Sequence, residues 1–89
     1  MVRQRADWMR PVDERIMEMI RDEGNLTPQA LDNFGVTSRS HASTRLSELR
    51  RYNLVERPAD TEGLYRLTET GEKFLNEELD ASELAPVDE

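Results

Sequence analysis

The sequence predicts a mainly α-helical domain carrying one small β-hairpin. Four stretches place apolar residues at helical spacing, with capping residues at their ends. Two short apolar runs, Leu54-Val55-Glu56-Arg57 and Leu64-Tyr65-Arg66-Leu67, flank the polar, turn-rich residues 58–63. A chain of 89 residues supports one modest core and not two domains.

Each element follows from local chemistry. Residues 1–10 show no period; they hold the only Trp, Trp8, next to Met9, and read as an N-terminal arm. Val12, Ile16, Met19 and Ile20 then recur on one helical face, with Asp13 and Glu14 in the first turn and Gly24 as a stop, so helix one is expected over 12–23. Thr27-Pro28 starts a short second helix that carries Ala30, Leu31 and Phe34 inward and ends at Gly35. Thr37 or Ser38 caps a third helix, 38–52, whose core stripe is Ala42, Leu46 and Leu49; Asn53 can take a left-handed position after it. The two strands follow. Thr68 caps a last helix with Phe74, Leu75 and Leu79 on its apolar side, and residues 81–89 read as an acidic, frayed tail. An isolated hairpin is marginal and must lean on the helices. Helices two and three are joined only by Gly35-Val36-Thr37, the tight connection of a helix-turn-helix. The expected architecture is therefore α-α-α-β-β-α, a winged helix-turn-helix, with its domain over 11–80.

Composition narrows the function. Nineteen acidic residues against twelve basic give a net charge of −7, and eleven of the twelve basic residues are Arg. An acidic, Lys-poor surface stays hydrated in concentrated salt, which screens its self-repulsion; a halophilic archaeal cytoplasm is expected. No apolar run approaches the roughly 20 residues of a membrane span, and no apolar signal segment follows Met1. The charge is uneven: residues 1–57 carry +1, residues 58–89 carry −8, and residues 37–57 alone carry +3. This basic island suggests an anionic partner for one face, or else a helix end whose cations favour the C-terminal dipole.

The outward face of the third helix is the most informative feature. With the core stripe turned inward, Ser40, Thr44, Ser47 and Arg51 point away from it, flanked by His41 and Ser43. Short hydroxyls let a helix approach base edges and phosphates closely, and Arg or His can reach guanine or phosphate. Helix one, by contrast, shows Asp13, Glu14, Glu18, Asp22 and Glu23, expected to face solvent. Arg39 in the first turn is placed to clamp a phosphate. Arg45 flanks the core stripe and reads equally as structural, its stem lying on apolar surface. Arg57 and Arg66 bracket the hairpin loop and can reach an adjacent backbone, although the loop tip Asp60-Thr61-Glu62-Gly63 is acidic. Arg3, Arg5 and Arg10 form a second basic cluster. The candidate DNA-binding residues are thus Arg39, Ser40, His41, Ser43, Thr44, Ser47, Arg51, Arg57 and Arg66.

Catalytic chemistry finds no support in the chain. One His and no Cys exclude a zinc finger. His41 lies beside Ser40 and Ser43 without a base-and-orienter arrangement. The four glycines are scattered, so no phosphate-cradling loop exists. The carboxylates fall on expected solvent faces and not in apolar settings that would shift their pKa. No cofactor, metal or small-molecule substrate is expected, and the chain reads as a non-enzyme.

One ensemble of motifs has a known counterpart. In order it comprises Asp7-Trp8-Met9, Asp13-Glu14-Arg15-Ile16, Gly24-Asn25-Leu26-Thr27-Pro28, Arg45-Leu46-Ser47-Glu48-Leu49, Leu54-Val55-Glu56-Arg57, Gly63-Leu64-Tyr65-Arg66-Leu67-Thr68 and Gly71. It resembles the haloarchaeal winged-helix regulators related to the repressor of the halophilic phage phi-H. The resemblance implies a small transcriptional regulator that sets helix three in the major groove, commonly as a dimer. Phe34 stands where Ile or Leu is usual, a change the core is expected to absorb, and Asn53 stands where Gly is usual. Ser40-His41-Ala42-Ser43 is individual to this chain, so no target sequence carries over.

Two readings follow. The first is a DNA-binding transcriptional regulator, a repressor, acting on double-stranded DNA as a homodimer. Trp8, Met9, Leu75, Leu79 and Leu84 either supply its dimer seam or complete the monomer core. The second is a winged-helix protein-interaction module that does not bind DNA, which the −7 charge favours.

Overall fold

Capping chemistry explains where the helices begin and end. The computed structural model describes residues 6–59 and 63–86. Its helices are α1 (Pro11–Glu23), α2 (Pro28–Asn33), α3 (Arg39–Arg51) and α4 (Glu69–Leu75); the strands are β1 (Val55–Glu56) and β2 (Arg66–Leu67), and a 3-10 turn covers Ala81–Glu83. Thr27, Ser38 and Thr68 each accept a bond from the backbone N–H three residues on, at 3.0, 3.3 and 3.0 Å. Asn53 follows α3 with φ 61°, the left-handed conformation expected of it. Its carbonyl accepts the Thr68 hydroxyl at 2.5 Å, tying the end of α3 to the start of α4.

The core draws on every element. Ile16, Met17 and Ile20 of α1, Leu31 of α2, Ala42, Leu46 and Leu49 of α3, Leu54 and Val55 near the hairpin, and Phe74 and Leu75 of α4 form one buried cluster. The cluster extends past residues 11–80, since Ala6, Met9 and Ala81 are also buried in it. Met9 and Leu75 thus complete the monomer core, while Trp8, Leu79 and Leu84 are half-buried against it.

The hairpin is shorter than the two four-residue runs suggested. Val55 pairs antiparallel with Leu67, and Glu56 with Arg66. Tyr65, immediately before β2, exchanges both backbone bonds with Leu26 on the opposite edge, at 2.9 and 3.1 Å. Leu26 thereby anchors the connection between α1 and α2 to the wing, a pairing that one apolar residue between turn residues does not announce.

Other expectations are corrected. Phe34 is 50% exposed: α2 has ended at Asn33, and the chain is turning through Gly35 (φ 77°) before Phe34 can face inward. The last helix stops at Leu75, short of Leu79. Glu77 is left-handed (φ 61°), and its N–H and that of Glu78 return to the Phe74 and Lys73 carbonyls, closing the helix. The chain then doubles back: Ala81 enters the core through a 3-10 turn capped by Asp80, and Leu84 is half-buried against it, so this part of the expected tail packs on the domain. Asp80 accepts the Ser82 N–H and hydroxyl, which hold its carboxyl below the usual aspartate range. Asp13, placed on the solvent face of helix one by its spacing, is fully buried.

Gly71 marks where α4 meets the end of α3. A Cβ at this buried position would lie 2.1 Å from the Leu54 carbonyl oxygen, a backbone atom that cannot move alone. Gly71→Ala is expected to cost about 1–3 kcal/mol as overpacking. That lowers the melting temperature by roughly 4–8 °C per kcal/mol, readable by circular dichroism. An unchanged melt would mean that α4 shifts freely.

Candidate nucleic-acid interface

Burial of Ala42, Leu46 and Leu49, all at 0% exposure, fixes the roll of α3. Arg39, Ser40, His41, Ser43, Thr44, Ser47 and Arg51 are consequently exposed on its outer side. Arg39, Ser40, Ser43, Thr44 and Ser47 share an open groove of about 560 Å³ with Thr27, Pro28 and Gln29 at the start of α2 and with Gly63 at the hairpin. Thus α3 forms the floor, with α2 on one flank and the wing base on the other. Among the described residues, no carboxylate lines this groove, in a chain of net charge −7.

The polar groups differ in how far they are already committed. Thr44 donates its hydroxyl to the Ser40 carbonyl at 3.2 Å, which leaves its oxygen able to accept. The Thr37 hydroxyl and His41 Nδ1 are 2.9 Å apart, an interaction that holds the ring and leaves Nε2 for another partner. The Arg39 N–H donates to Asp32 Oδ2 at 3.0 Å, locking the helix start to α2. The Arg39 guanidinium forms no ion pair among the described residues.

The remaining candidates stand apart from the groove. Arg51 pairs with Glu48 at 3.2 and 3.3 Å. Arg66 pairs across the hairpin with Glu56. Arg57 sits 6.0 Å over the Tyr65 ring, at the outer reach of a cation–π contact. Exposed ion pairs contribute only about 0–1 kcal/mol, so an incoming phosphate can displace either carboxylate. Residues 60–62 at the hairpin tip, and Arg3 and Arg5, lie outside the described residues. Thr27, Pro28 and Gln29 line the groove in addition to the candidates named from the sequence, which uses Thr27-Pro28 only as a helix start. The signal for them is that α2 is short and joined to α3 by a tight turn, which keeps even its start beside α3.

Arg45 turns the opposite way. Its guanidinium donates Nε to Asp13 Oδ1 at 2.8 Å and Nη2 to Oδ2 at 2.7 Å. Nη2 also reaches the Trp8 carbonyl at 3.0 Å. The Asp13 hydrogen bonds are the chief cause of a pKa raised above the usual arginine range. Of the two readings its spacing left open, the structural one holds.

A helix-turn-helix with a hairpin beside its second helix defines the winged helix-turn-helix class, as the element order predicted. A family model described as the winged helix-turn-helix phage repressor matches residues 2–86, and the chain belongs to that family. Among solved structures, the PhiH1 repressor-like protein from Haloarcula marismortui is similar, at 37% identity and a TM-score of 0.86 over 98% of this chain and 99% of that one. The family resemblance read from the sequence is therefore borne out, and the neighbour is haloarchaeal, in keeping with the acidic composition. No match is found among the curated proteins. Among the described residues, no helix is long and apolar enough to cross a membrane.

Proposed function

We propose that the chain is a sequence-specific, cytoplasmic DNA-binding repressor that lays α3 in the major groove and acts as a homodimer. The observation that carries this reading is the groove in which Arg39, Ser40, Ser43, Thr44 and Ser47 line up between α2 and the wing base, with no carboxylate among its described lining residues. In this reading the small hydroxyls let the helix sit deep against base edges, Arg39 takes a phosphate, and His41 and Arg51 reach the margins. In the same reading Arg57 and Arg66, on the wing, would reach the flanking backbone. The domain measures 30 × 28 × 20 Å, less than the roughly 34 Å helical turn that separates half-sites, so each copy suits one half-site. Half-buried Trp8, Tyr52 and Leu84 line a shallow surface near the two ends of the described chain, which favours that face for the dimer contact.

The net charge favours the other reading, a protein-interaction module, because DNA repels an acidic monomer at long range. In molar salt the Debye length falls to about 3 Å and only local contacts count. The test is selection from pooled random duplexes at about 0.2 M and about 2 M KCl, where counterion release is large and small respectively. A palindromic motif with half-sites about one turn apart is expected, and Ser40→Ala/Thr44→Ala/Arg51→Ala should abolish its retention. No enrichment by folded protein at either salt overturns the proposal in favour of the interaction module.

A further inference from the structure

We infer that Asp13, Arg45 and the segment 6–10 form a positioning clamp for α3, setting the angle at which its outer face meets a duplex. The inference rests on the DNA-binding reading of that face and adds residues that touch no DNA. The clamp has two anchor points on the helix. At mid-helix, Arg45 grips Asp13 of α1 through both carboxylate oxygens and the Trp8 carbonyl through Nη2. At the C-terminal end, the Trp8 ring stacks on Tyr52, the C-cap residue of α3, with centroids 3.8 Å apart and planes 9° from parallel.

Arg45 and Tyr52 are seven positions apart, which is about 10 Å along a helix at 1.5 Å per residue. One anchor would leave a pivot, whereas two at this separation define the axis. Asp13 joins the anchors to α1 by also accepting the Arg10 N–H at 2.9 Å.

The clamp ties α3 to α1, the less extensively packed of its two helical neighbours; α3 packs most extensively on α2. Apolar surfaces tolerate sliding, whereas a planar guanidinium forked onto a carboxylate fixes both distance and angle. Asp13 is 0% exposed and Arg45 9%, so salt that screens the surface pair Arg51–Glu48 leaves this one little changed. Such a device holds a reading helix in register in the concentrated salt that the composition suits.

The experiment uses the full chain in about 2 M KCl, where surface pairs are screened. Asp13→Leu/Arg45→Met replaces the pair with apolar volume, which commonly preserves folding. The readouts are the cooperative melt, acrylamide quenching of Trp8 (the sole Trp), hydrogen exchange of α3, and affinity for the selected and for random duplexes.

The expected result is a folded variant with Trp8 more readily quenched and faster exchange in α3. Its preference for the selected duplex falls about tenfold, the scale of one lost base contact, while its random-duplex affinity stays put. Arg45→Lys, which keeps charge without the fork, should fall between. Loss of stability alone would lower both affinities together.

A folded double variant with wild-type quenching, exchange and duplex preference overturns the clamp. Should the double variant not fold, Arg45→Lys, which keeps both charges of the pair without the fork, is read by the same four measurements and the same criterion. A wild type that selects no duplex overturns the DNA reading instead, and Trp8 quenching and α3 exchange then decide the clamp by themselves.

Discussion

Asp13→Ala is expected to cost the fold about 3–5 kcal/mol, because it strands a buried guanidinium whose one carboxylate partner among the described residues is gone. The carboxylate takes both Arg45 bonds and the Arg10 N–H, and the Arg45 side chain, with the residue only 9% exposed, cannot turn wholly to water. With each kcal/mol worth roughly 4–8 °C in a domain of this size, the melting temperature should fall by 12 °C or more. Small domains hold only about 5–15 kcal/mol in total, so the variant will sit near the edge of folding. Asp13→Leu/Arg45→Met should melt close to the wild type, since removing both charges removes the desolvation cost with the attraction. Thermal unfolding of the three proteins in molar KCl checks this. An Asp13→Ala melt within a few degrees of wild type would show that Arg45 finds water or another acceptor. Alkaline conditions should not mimic the mutation, because the pKa of Arg45 is raised and its charge persists through the accessible alkaline range.

Arg39→Ala is expected to weaken duplex binding about tenfold, the value of one charge-assisted hydrogen bond to phosphate. The effect should be nearly uniform across sequences, and the slope of log affinity against log salt should fall by about one. Arg39 is singled out by its neighbours. Of the four arginines on α3, Arg45 is held by Asp13 and Arg51 by Glu48, and Arg50 has interactions of its own. Arg39 makes no ion pair among the described residues and lines the groove. Its side chain leaves the first turn of α3, so truncation removes no core contact and the melt should be unchanged. Anisotropy titrations over a salt series check the prediction. A loss confined to the selected sequence would reassign Arg39 from phosphate to a base edge.

Much of this molecule was legible in the chain because the relevant signals are local. Thr27-Pro28, Ser38, Thr68 and Asn53 act on backbone groups within a few residues, so helix starts and the left-handed turn follow from spacing alone. The stripe Ala42, Leu46 and Leu49 likewise set the roll of α3, and with it the exposure of Ser40, Ser43, Thr44 and Ser47.

Tertiary structure decided what depends on residues distant in sequence. Asp13 reads as a first-turn carboxylate until Arg45, thirty-two positions on, arrives over it and excludes water. Nothing local to Leu26 announces that Tyr65 pairs with it, and nothing local to Gly71 announces that the Leu54 carbonyl fills the place of a side chain there. Phe34 reads as core until the chain turns away at Gly35. Periodicity reports which side of an element is apolar. The chemistry of what lies against that side, including whether a charge there meets water or another charge, exists only once the chain has closed on itself.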